Sequence, residues 1–164
     1  MSRELLCLAE LKEELHRTYE RIVELGQTPI VKILSTVIST GSLKHARIYS
    51  FLARYISQGR EANALNCSSI PGVGEVLEKI RRIREELLNN PPSSEPGLLQ
   101  VVKELVSVLD QTMEVVDPDK LCQSLRSDEY RRLCVIVMNS VTGDDAMHRE
   151  LTRVMEWFLR EEAR

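Results

Sequence analysis

Aromatic side chains are scarce in this chain: two Phe, one Trp and four Tyr among 164 residues. A core built from it must be filled by aliphatic side chains. A base-stacking surface, which needs aromatics interleaved with basic residues, has only Arg54-Tyr55 to build on. Long apolar runs are missing too. The longest, such as Leu133 to Met138, fall far short of a bilayer span, and Met1 leads into an amphipathic segment in place of an apolar leader. The expectation is no membrane and a cytoplasmic location. No stretch alternates apolar and polar residues for long, which excludes a sheet protein. Positive charge is not in excess, since the formal net charge is −3. The Arg81-Arg82-Ile83-Arg84 cluster stands between Lys79 and Glu85-Glu86, as a salt-bridged helix face does, and this argues against a nucleic-acid partner.

The four cysteines, Cys7, Cys67, Cys122 and Cys134, lack the paired spacing of zinc sites. In a reducing cytosol they read as free, mostly buried thiols. Dense Glu, Arg and Lys with few Asn and Gln suggests a thermophilic source, where intracellular disulfides become plausible. No local arrangement of nucleophile and base stands out. Gly72-Val73-Gly74 precedes a helix but lacks the following glycine and lysine of a phosphate loop. No motif fixes a reaction, so an enzymatic role has no sequence support.

What the chain does have is helical periodicity. Ser2 caps a first helix whose Leu5, Leu8, Leu11, Leu15, Thr18, Ile22 and Leu25 recur at three-and-four spacing up to Gly26. Thr28-Pro29 restarts a second helix as cap and first residue, and it runs to about Gln58. Its Ser39-Thr40-Gly41-Ser42 segment predicts a kink or a close packing point. After a polar link from Gly59 to Gly74, Val76 to Leu88 form a third helix. Asn89 to Gly97, rich in proline and serine, is the clearest breaker in the chain. Leu98 to Val116 form an apolar fourth helix, Leu121 to Leu125 a short one, and Asp128 opens a last long helix reaching Leu159. The prediction is all-α, with four long helices and two shorter ones in a single domain, residues 1–164, of two halves, 1–90 and 97–164.

Two of the three histidines, His45 and His148, share a setting. Ile38, Ile48, Phe51 and Leu52 flank His45 at the same offsets as Val141, Leu151, Val154 and Met155 flank His148. Those offsets put each histidine on or beside an apolar helical stripe, where a polar ring needs a partner. His16 lies off its stripe and reads as a surface residue. Trp157, Phe158, Phe51, Tyr49 and Tyr55 are expected to pack between helices, and Tyr19 and Tyr130 to be partly exposed.

Two halves, each with a long helix followed by a histidine-bearing helix, resemble the ferritin-like superfamily over nearly the whole chain. There an inward Glu on one helix and Glu-x-x-His on its partner are repeated in the second half to hold metal. The resemblance implies a ferritin-like four-helix bundle with two shorter accessory helices. By its pattern Asp145 and His148 take the Glu-x-x-His positions of the second half, with Glu104 as the inward Glu. In the first half Ser42 stands where the family has its carboxylate, leaving His45 and Glu14. A missing bridging ligand argues against diiron oxidase chemistry. It leaves either no cofactor or a single divalent ion, iron, manganese or zinc, on Glu14, His45, Glu104, Asp145 and His148. Asp145 could instead cap a helix starting after Thr142-Gly143.

The function expected on this resemblance is a binding or structural protein with a reduced or lost metal site, forming a homo-oligomer through an apolar helix face. The alternatives are a metal-dependent oxidoreductase or metal-binding protein and a helical-hairpin interaction module stacked as a solenoid. One distance separates them. Imidazoles within about 6 Å of each other with carboxylates between them favour metal, whereas aliphatic side chains between them would make the site only ancestral.

Overall fold

Every regular element found among residues 2–57, 66–115, 118–123, 125 and 127–162, which the computed structural model describes, is helical. The helices are α1 (Ser2–Leu25), α2 (Pro29–Ile56), α3 (Val73–Asn89), α4 (Glu95–Val115), α5 (Pro118–Gln123) and α6 (Asp128–Glu162), with a 3₁₀ turn at Cys67–Ser69. The all-α expectation holds, with α3 and α5 as the shorter helices. None of the described helices is long and apolar enough to cross a membrane. The predicted helix ends at Gln58 and Val116 lie outside the described residues.

Several local expectations change on contact with packing. Thr28 is extended as a cap should be, but its hydroxyl makes no capping bond. The Asn89 to Gly97 breaker is shorter than expected. Pro96 and Gly97 belong to the first turn of α4, where a proline's missing N–H costs nothing. α2 passes unbroken through Ser39-Thr40-Gly41-Ser42, and α6 through Thr142-Gly143-Asp144-Asp145, so Asp145 is not a cap. Long helices packed along their length hold weak formers helical, because burial of neighbouring turns outweighs propensities of under about 1 kcal/mol per residue.

α1 lies between α2 and α3, α6 packs on α2 and α4, α3 also meets α4, and α5 rests on α6. More than half of the circumference of α1 is buried as a result. One stripe of it reads Leu5, Leu8, Lys12, Leu15, Tyr19, Ile22, and Lys12 and Tyr19 touch α6. The opposite side carries Glu10 and Glu14 to Arg81 and Arg84 of α3, the salt-bridged helix face expected of that arginine cluster.

The cysteines are not free thiols. Cys7 is bonded to Cys67, tying the 3₁₀ turn to α1, and Cys122 to Cys134, tying α5 to α6. Helix packing sets partners distant in sequence at Cα separations of 5.5 and 5.7 Å, within disulfide reach. Two aromatic expectations reverse as well. Tyr19 is fully buried, its hydroxyl 2.8 Å from Thr152 Oγ1, while Phe51, Tyr55 and Trp157 point outward. His16 is half-buried, with Nδ1 2.7 Å from Ser39 Oγ.

Candidate functional site

α2 and α6 run antiparallel, so that Ser35 meets Met155, His45 meets Asp145, and Tyr55 meets Tyr130. At their midpoints the two histidine segments come together. The imidazoles of His45 and His148 lie 5.5 Å apart between ring centres, and Asp145 stands between them. Its Oδ1 is 3.0 Å from His45 Nδ1 and 3.8 Å from His148 Nδ1. His45 Nε2 lies 3.2 Å from Asp144 Oδ2, and Lys44 closes the outer edge by pairing with Asp144.

Gly41 makes room for this. It precedes His45 by one turn on the same face of α2, and the His148 ring rests on its bare backbone. A Cβ there would lie 2.2 Å from His148 Nε2. The weak helix former in the middle of α2 is thus the packing point, and any side chain at that position must push the ring away.

The fourth member is one that sequence reading missed. Lys12 of α1, only 1% exposed, donates to Asp145 Oδ2 at 2.7 Å. Its signal was available: Leu5, Leu8, Lys12, Leu15, Tyr19 and Ile22 form a heptad stripe with one charge inside it. Two of the proposed ligands are elsewhere. Glu14 is buried, but it follows Lys12 by two residues, about 200° around the helix. It faces α3, with its oxygens taken by Arg17 and Arg84 at 2.9 and 2.7 Å. Glu104 sits on the flank of α4 in a polar groove with Lys79, Arg82 and Glu86 of α3. His45, Asp145 and His148 alone remain as a possible ligand set, each offering an atom within 4.8 Å of the others. A two-metal centre does not fit these residues. Glu14 and Glu104 are turned away, Ser42 stands in place of a third carboxylate, and an ammonium lies on Asp145.

Electrostatics follow from burial. Burial alone would raise the Asp145 carboxyl, but the Lys12 charge and the hydrogen bonds from His45 and Lys12 overcome it and hold it at about 2. Burial pushes His148 down to about 4. The Asp145 charge works against that shift, and the neighbouring His45 and Lys12 work with it. Asp144 is lowered, chiefly by its hydrogen bond from Lys44. Tyr49, one turn after His45, is fully buried with a hydroxyl that has no hydrogen-bond partner among the described residues. Burial and the Asp145 charge both raise its pKa.

Acid sensitivity is the expected consequence. Between pH 6.5 and 4 the unfolded chain takes up a proton at His148 that the folded chain does not. Stability is therefore full above 6.5 and falls by roughly 3 kcal/mol on descent to 4. Asp145 adds a further loss between its ordinary value and about 2. Urea midpoints at pH 7 and pH 4.5 should differ clearly in the native chain and much less in His148→Gln. Equal differences in the two proteins would show that His148 is not held neutral by the fold.

No protein-family model, no curated protein and no solved structure matches this chain.

Proposed function

We propose that this chain is a ferritin-like helical bundle whose metal centre has been reduced to a buried charge cluster, with Lys12 standing where a metal ion would supply positive charge. Its role on this reading is structural or binding, exercised by self-association in the cytoplasm of a thermophile, a setting in which two disulfides are no obstacle. The observation that carries the reading is the Lys12 ammonium 2.7 Å from Asp145 Oδ2. With that pair made, the one carboxylate between the two imidazoles is neutralised, and a divalent ion added beside it would bring two uncompensated charges into a buried site. The paired histidine segments support the ferritin-like assignment.

A second reading keeps the metal. Lys12 holds only Oδ2, and Oδ1 faces both histidines, a two-histidine, one-carboxylate set of the kind that takes iron(II), manganese or zinc. Elemental analysis decides between the two readings. Native protein loaded with zinc and desalted should retain less than a tenth of an equivalent, and Lys12→Met, which removes the internal cation, should retain close to one. A full equivalent in the native chain, lost in His148→Ala, would establish the metal reading and overturn the first.

A further inference from the structure

Ten of the eleven large apolar side chains that stand exposed among the described residues lie on α2 and α6, which are neighbours. On α2 they are Ile33, Val37, Phe51 and Tyr55, all within a narrow arc because their spacings are close to whole turns. On α6 Leu133, Ile136, Met147 and Val154 fall within a similar arc. The two arcs open on the same side. At one end they line a single apolar groove of about 280 Å³, where Tyr55 and Tyr130 are in ring contact, and at mid-length Lys44 of α2 reaches Asp144 of α6 across the seam. Phe51 and Val154, equivalent positions in the two histidine segments, both point out of this face.

Resting on the self-association part of the reading above, but not on its account of the metal, we infer that this α2–α6 face is the interface of a two-fold symmetric dimer of the chain. Size is the first argument. The eight side chains of the two arcs with Tyr130, about half exposed, present on the order of 1,000 Å², more than the roughly 800 Å² per partner of a standard interface and far more than one small ligand covers. Charge supplies the second. At the middle of the face Lys44 and Asp144, a cation and an anion, stand side by side, an arrangement complementary to itself. A two-fold axis parallel to the helices lays α2 of one copy on α6 of the other. Lys44 then meets the second copy's Asp144. An axis across the helices would set Lys44 against Lys44 and is excluded by like charge.

Sedimentation equilibrium of the full chain tests this. The native protein should run at twice its 18.8 kDa mass. Ile136→Glu and, separately, Phe51→Glu should run as monomers with unchanged helical circular dichroism, while Leu88→Glu, the exposed apolar position on α3, should remain dimeric. Lys44→Asp should weaken the dimer, and Asp144→Lys added to it should restore it. A monomeric native chain would overturn self-association and this interface together. A dimer that survives both Ile136→Glu and Phe51→Glu would overturn this face while leaving self-association standing.

Discussion

Replacing Asp145 by alanine is expected to destabilise the fold by about 3–5 kcal/mol, a large part of the stability of a domain this size. Among the described residues the carboxylate is the only partner of Lys12, which is 1% exposed and has no solvent to turn to, and it also holds His45 Nδ1. Its loss leaves a buried ammonium and a buried ring nitrogen uncompensated. The cost measures that orphaned charge more than the worth of the pair. If so, removing both charges together should be far gentler: Lys12→Met with Asp145→Leu should lie within about 1–2 kcal/mol of the native chain. Urea unfolding of the two single variants and the double variant closes the cycle. An Asp145→Ala cost below 1 kcal/mol, or a double variant as unstable as the sum of the singles, would mean that the cluster is solvated and not a buried, mutually dependent pair.

The same cluster shows what could be read from the residues alone. Histidines flanked alike in two segments put each on an apolar face, and the ferritin-like resemblance is what drew His45, Asp145 and His148 into one site. The carboxylate expected on α1 and α4 was a different matter. Periodicity gives a face but not the neighbour on it. Glu14 lies within the wide buried arc of α1 yet meets α3, and Lys12, on the arc that meets α6, was passed over as a charged residue among leucines. Lysines are so seldom fully buried that the expected stripe runs through Leu11 and Thr18 and leaves Lys12 out. Gly41 and Asp145 looked like breaks for a related reason: local propensity is weak beside the packing of a 28- or 35-residue helix. Disulfide partners were not legible at all, since pairing depends on which helices meet.

The two disulfides should differ in worth, and the order of that difference tests how they act. Cys7–Cys67 closes a loop spanning 60 residues and Cys122–Cys134 one spanning 12. Constraint of the unfolded chain predicts about 4 kcal/mol for the first and about 3 kcal/mol for the second. In a chain of this size Cys7→Ala with Cys67→Ala should lower the Tm by about 8–16 °C, and the other double variant by less. Location sharpens the contrast. Cys7 precedes Lys12 on α1 by five residues and fastens the 3₁₀ turn and the start of α3 beside it, so its removal should loosen the helix that carries the internal cation. Hydrogen exchange should then rise along the first half of α1, whereas loss of Cys122–Cys134 should be felt in α5 and the first turns of α6. Equal Tm losses would count against loop length as the source of the stabilisation. Faster exchange at Lys12 in the Cys122–Cys134 variant alone would show that α1 is held by its helix contacts and not by its disulfide.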